Sequence, residues 1–190
     1  AHPAHRLDRE TSGVVVCAAD DDYRRQLHDM FKHRRVDKIY RALCLDEAGR
    51  WQPGEGETID IPLGDKEESE IRHKKGRGDQ RAVTHVEVLE RTDFDGRALA
   101  DLKIAIETGR QHQIRAHLAL QDTPIAGDKL YAKDASFFRA ISDYPDDEDL
   151  LERLTFPRQA LHAWRLRIPH PETGEELQLE APLPDIWHHS

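Results

Sequence analysis

Apolar runs with strand periodicity dominate this chain, and they do not alternate regularly with helical ones. Gly13 to Ala19 is a β-branched apolar run that predicts a buried strand. Alternating or apolar runs over 38–45, 82–89, 98–107, 160–168 and 177–181 predict further strands. The last two flank His170-Pro171-Glu172-Thr173-Gly174, a turn sequence that makes them a hairpin. Helical spacing occurs at Tyr23, Leu27, Met30 and Phe31, preceded by three aspartates and followed by Lys32 to Arg35. That charge order suits the helix dipole. A second helix is expected over 111–121, with Ile114 and Leu118 on its apolar face. About three helices among this many strands predict an α+β fold: one mixed, mostly antiparallel sheet with flanking helices. A doubly wound fold is excluded by the irregular order.

Stretches 46–57 and 63–81 are polar and glycine-bearing and predict loops, the second long enough to be functional. The acidic stretch 143–150 is also expected to be a loop. A chain of 190 residues suffices for one domain with its own core, and 1–190 is taken as one. No apolar stretch is long enough to span a membrane and no signal pattern opens the chain, so a cytoplasmic location is expected. Cys17 and Cys44 lie in strand-like runs and are expected to be buried free thiols.

The net charge of −9 opposes a nucleic-acid partner only if charge is spread evenly. It is not. Acid clusters at 20–22, 67–70 and 146–149; base clusters at 32–35, 72–77 and 110–115. A fold that gathered the basic pieces on one face would present a phosphate-binding surface.

Two segments carry candidate chemistry. In His5-Arg6-Leu7-Asp8-Arg9-Glu10-Thr11-Ser12-Gly13, arginines flank a carboxylate ahead of a strand. Positive charge beside a carboxylate favours the anion that a nucleophile or base requires. The same pattern also fits a charged loop with a structural ion pair. In Thr108-Gly109-Arg110-Gln111-His112-Gln113-Ile114-Arg115-Ala116-His117, a strand gives way to a helix whose Arg115 shares a side with His112 and Gln111. A rigid arginine there grips a carboxylate through a forked pair of bonds, or is one member of a solvated basic face. Tyr40, on an alternating strand among basic residues, is either a half-buried strand aromatic or a platform for a base. His112 and His117 do not stack on one helix face, and the chain has no His-Glu-x-x-His, Cys-x-x-Cys, P-loop or Gly-x-Gly-x-x-Gly. No metal and no nucleotide cofactor is therefore expected.

These segments resemble the motifs of the RluA-type RNA pseudouridine synthases. Residues 5–13 resemble H-R-L-D-x-x-T-S-G, residues 38–42 resemble K-x-Y-x-A, and residues 108–118 resemble T-G-R-x-H-Q-I/L-R-x-H-L. Ala82-Val83-Thr84, Gly127-Asp128-x-x-Tyr131, Leu161-His162-Ala163 and the closing segments from His170 to Pro184 fit in the same order. The resemblance implies an isomerase that converts uridine to pseudouridine in ribosomal or transfer RNA, without metal or cofactor, after flipping the base. It implies Asp8 as the catalytic carboxylate, Arg115 as its orienting partner and Tyr40 as the residue that stacks on the target base and helps to remove the C5 proton. Arg6 is expected to fill the space left by the flipped base. His5, Leu7, Lys38, Arg110, Gln113 and Ile114 are expected to contact RNA or the base, and the basic segment 72–77 to clamp RNA. RNA is the expected partner of a monomeric protein. Members normally carry a strand segment with an Asn-Lys-Pro-x-Gly-like stretch ahead of the first motif, so such a segment is expected to precede residue 1. The competing readings are a catalytically silent RNA-binding module and a metal-dependent hydrolase.

Overall fold

The alternating runs become neighbouring strands of a seven-stranded sheet in the computed structural model, which describes residues 1–65, 71 and 74–188. The chain begins with three two-residue strands, β1 (His2–Pro3), β2 (Ser12–Gly13) and β3 (Cys17–Ala18), then helix α1 (Asp21–Lys32). Strands β4 (Asp37–Leu45), β5 (Gly56–Asp60), β6 (Leu63–Asp65), β7 (Lys75–Arg77), β8 (Val83–Phe94) and β9 (Arg97–Ile106) follow. Helices α2 (Gln113–Ala119), α3 (Ala135–Asp143) and α4 (Glu148–Glu152) precede β10 (Leu161–Pro169) and β11 (Glu176–Glu180). The main sheet has the order β11-β10-β4-β9-β8-β5, with β2 added to β10. Every pairing along that path is antiparallel, and only β2 runs parallel to its partner. The expected α+β class is what the chain adopts.

Local chemistry explains the elements. Asp20 caps α1 by accepting from the Tyr23 N–H, and Asp21 and Asp22 sit at its positive end. Leu27 and Met30 are its buried face, set against Ala18, Leu166 and Ile168. Each such side chain contributes roughly 1.5–3 kcal/mol by leaving water. Strands β8 and β9 are joined by Asp95 and Gly96, both at positive φ, the two-residue turn whose twist matches an antiparallel hairpin. The principal core lies between the sheet and α2, where Ile114 and Leu118 meet Leu102, Ile104 and Leu161.

Four expectations are corrected. The run from Gly13 to Ala19 is not one buried strand: Gly13 turns at φ 117°, Val15 and Cys17 face solvent, and only short ladders form. Cys17 is therefore an exposed thiol, whereas Cys44 is buried; neither forms a disulfide. The polar stretch after Pro62 is not wholly loop, because β6 and β7 pair through Leu63–Arg77, Gly64–Gly76 and Asp65–Lys75. The acidic stretch near 148 opens α4, capped by Asp147, and α3 ahead of it has a cap at Asp134. No helix among the described residues is long and apolar enough to cross a membrane.

Candidate active site

Asp8 sits on the loop between β1 and β2, and the sheet holds that loop from below. Gly13 lies so close to β10 that a Cβ there would come within 2.2 Å of the Ala163 carbonyl oxygen. Only glycine allows both that approach and the positive φ. Ser12 Oγ is 2.8 Å from His162 Nδ1, and Gln159 Nε2 donates to Thr11 Oγ1 at 2.6 Å. The Thr11 N–H closes the turn on the Asp8 carbonyl at 2.9 Å. These ties fix where the Asp8 side chain emerges.

Arg115 comes to Asp8 from α2. Its Nη1 donates to Asp8 Oδ2 at 2.9 Å, while Nε and Nη2 donate to the two oxygens of Asp128 at 2.7 and 2.9 Å. Asp128 is fully buried, and one of its oxygens also accepts the N–H groups of Leu130 and Tyr131. Burial opposes the charge of Arg115, but the two carboxylates outweigh it and raise its pKa above the ordinary arginine value. His112, at positive φ just before α2, brings Nε2 to 3.8 Å from Asp8 Oδ2. Burial, then the charge of Arg115, lowers the His112 pKa, so its ring is neutral near pH 7.

Tyr40 lies on β4 between Ala163 of β10 and Ile104 of β9. Burial, then the negative charge of Asp8, pushes its phenol up to about 12. It therefore stays protonated at neutral pH. Tyr40, Asp8, Arg6, Leu7, Lys38, Arg110, His112, Ile114 and Arg115 share one cleft of about 300 Å³. A groove of about 840 Å³ continues from it past His5, Arg6, Lys38 and Arg110.

The predicted residues are thus brought together, but their surroundings differ. Arg6 is exposed and makes no ion pair among the described residues. Arg110 is exposed too, with Nε donating to the Arg81 carbonyl. Lys38 is half-buried, its ammonium 5.4 Å from the Phe31 ring centre, and burial lowers its pKa. Ile114 is 5% exposed and belongs mainly to the core. His5 accepts the Val16 N–H at 3.0 Å and lies against Phe31, which makes it a support for the loop. Gln113 lines the same cleft, and its amide is engaged within the scaffold. Its Oε1 accepts from Thr108 Oγ1 and the Arg110 N–H, and its Nε2 donates to the Val83 carbonyl and Thr84 Oγ1. Of the basic segment 72–77, Arg72 and His73 lie outside the described residues; Lys75 to Arg77 form β7.

Asp128 is the residue that pattern reading missed as a partner of Arg115. It stands in the Gly127-Asp128-x-x-Tyr131 segment, and its signal was the neighbouring glycine. Gly127 turns at φ 77°, and a Cβ there would come within 2.3 Å of the Arg158 carbonyl oxygen. So tight a turn places an aspartate under the helix.

A family model described as RNA pseudouridylate synthase matches residues 1–120, which include all three motifs. The chain belongs to this family. The match covers the RluA-type motifs in full, and the curated relatives extend it along the chain. The chain is 37% identical over 181 residues to Ribosomal large subunit pseudouridine synthase D of Nitrosomonas europaea, covering 95% of this chain and 47% of that one. It is 36% identical over 188 residues to the enzyme of the same name from Neisseria meningitidis serogroup A, covering 97% and 46%. The chain thus spans about half the length of the curated relatives it matches. Among solved structures, Human RNA Pseudouridylate Synthase Domain Containing 1 superposes with a TM-score of 0.74 at 27% identity, over 95% of this chain and 68% of that one. Human RNA Pseudouridylate Synthase Domain Containing 4 gives 0.69 at 27% identity, over 99% and 73%.

Proposed function

We propose that these 190 residues are the catalytic domain of an RNA pseudouridine synthase that isomerises uridines in large-subunit ribosomal RNA, transfer RNA or both. The observation that carries this reading is the grip on Asp8: a buried arginine, itself locked by Asp128, holds one carboxylate oxygen beside Tyr40 in a cleft. A structural ion pair needs no such third partner and no cleft in front of it.

The uridine must leave its stack before its glycosidic bond is reached. Arg6, exposed at the rim, takes the vacated space, and Tyr40 stacks on the flipped base. Asp8 then attacks C1′ or promotes elimination there, and the bond from C1′ to N1 breaks. The base turns, C5 bonds to C1′ as any bond from C1′ to Asp8 breaks, the C5 proton passes to water, and N1 takes up a proton from water in its place. Product and substrate have the same atoms, so no oxidant, reductant or energy source is consumed. The protonated phenol of Tyr40 fits a stacking platform better than a standing phenolate base. We place the protein in the cytoplasm as a monomer, which sedimentation of the purified chain tests.

The test of the function is tritium release from RNA carrying C5-tritiated uridine, with EDTA present. Release from ribosomal or transfer RNA supports the isomerase. Binding without release supports a silent RNA-binding module, and metal-dependent RNA cleavage supports a hydrolase.

A further inference from the structure

Tyr131 stands between two cavities. On one side its ring lies 5.1 Å from the guanidinium carbon of Arg115. On the other it lines a groove of about 940 Å³ between β7 and α2, larger than the cleft that holds Asp8. Its N–H donates at 3.1 Å to the same Asp128 oxygen that accepts Arg115 Nη2. Its hydroxyl accepts the backbone N–H of Lys75 at 2.8 Å and lies 3.3 Å from His112 Nδ1, whose ring it meets edge-on. A tyrosine that only filled space would use its ring alone. This one touches Arg115 and His112, both neighbours of Asp8, and ties its hydroxyl to a strand outside the main sheet.

Strand β7 is a firm anchor for that tie. It pairs with β6 through Gly64 and Gly76, and just beyond it a Cβ on Gly78 would come within 2.4 Å of the Gly64 Cα. The tie runs to the Lys75 main chain, so it does not depend on that residue's side chain, which pairs with Asp65 at 2.5 Å.

We infer that Tyr131 is a positioning residue: it sets the plane of the Arg115 guanidinium, and so the direction of Asp8, and takes its own setting from the backbone of β7. The cation–π contact restrains Arg115 across its face, the direction in which the in-plane bonds to Asp128 are weakest. The inference rests on the proposed isomerase for its kinetic consequence, but not for its structural one. Strand β7, with the exposed Arg77, is thereby joined to Asp8 through Tyr131 and Arg115.

The experiment compares wild type, Tyr131→Phe and Tyr131→Leu in two readouts. The first is single-turnover tritium release with enzyme in excess. Tyr131→Phe keeps the ring and is expected to slow release about fivefold, the weight of one hydrogen bond. Tyr131→Leu is expected to slow it about 100-fold, as small misplacements of reacting groups do. RNA affinity is expected to stay within about twofold for both, because Tyr131 removes no charge. The second readout is hydrogen exchange of the Arg115 Nε–H by NMR, expected to quicken in Tyr131→Leu and less in Tyr131→Phe. Lys75→Pro removes the donor to Tyr131 and is expected to add nothing to Tyr131→Phe. No release by the wild type sinks the isomerase reading and leaves Arg115 exchange to decide the inference. Unchanged Arg115 exchange in Tyr131→Leu overturns the inference, whatever the rates. So does a release rate within about twofold of an active wild type.

Discussion

Arg115 divides its guanidinium between Asp128 and Asp8, with Nε and Nη2 on the first at 2.7 and 2.9 Å and Nη1 on the second at 2.9 Å. The buried carboxylate fixes the plane, and the remaining nitrogen is aimed at the cleft. Lysine has one ammonium and cannot make both contacts in fixed geometry. Arg115→Lys is therefore expected to lose at least about 100-fold in single-turnover rate. Asp128→Ala is expected to lose rate similarly and to destabilise the fold by about 3–5 kcal/mol, because it breaks a buried pair and leaves one charge behind. Urea unfolding measures the second effect.

Stability is expected to fall with acid earlier than carboxylates alone require. Burial lowers the pKa of His5, His112, His117 and His162 below the ordinary 6.5. The folded state then favours neutral rings, while the unfolded chain takes up protons as pH drops through 6.5. Their contribution is complete above that pH and is lost as pH falls from there through the lowered folded-state values. His117 is fully buried between Thr84 Oγ1 and the Ile61 carbonyl, both at 2.9 Å. Urea midpoints from pH 7.5 to 5 should decline, and His117→Gln should shallow the decline.

Gly13→Ala is expected to displace the Asp8 loop. The added Cβ would meet the Ala163 carbonyl oxygen at 2.2 Å and hold alanine at φ 117°. Such backbone strain alone costs about 1–3 kcal/mol. The fold is expected to survive because β2 is short, but release of tritium is expected to fall by about 10-fold or more as Asp8 shifts. Circular dichroism and the release assay, run together, separate the two effects.

RNA affinity is expected to draw on β7. Arg77 is exposed there and has no ion-pair partner among the described residues. Arg77→Gln should weaken binding of different RNAs alike and reduce the salt dependence by about one unit of log–log slope. An unchanged slope would remove Arg77 from the RNA-binding surface.

Much of the scaffold was legible because burial imposes periodicity. Strands β4, β8, β9 and β10 and helix α1 follow runs whose apolar residues are buried, and β11 follows an alternating run whose leucines are half-buried. Strand β5 carries only one fully buried side chain, Ile59, and β6 and β7 are short and rich in glycine and charge, so little periodicity marks them. The run after Gly13 misled because β-branched residues were read as burial, whereas the positive φ of Gly13 and the exposure of Val15 break the strand. At the site, the motifs located Asp8, Tyr40 and Arg115. They said nothing about which carboxylate would share Arg115, since Asp128 reaches it only through the turn at Gly127. They also gave no sign that the amide of Gln113, which lines the cleft, would be engaged by β8 and the loop before α2.

The most direct measurement is tritium release under enzyme excess by Asp8→Asn, an isosteric change that removes the carboxylate charge and leaves the cleft its shape. Wild type is expected to release tritium from C5-labelled ribosomal or transfer RNA. Asp8→Asn is expected to release none while binding the same RNA as tightly. Release by Asp8→Asn within about tenfold of wild type would contradict the claim that the carboxylate held by Arg115 performs the chemistry.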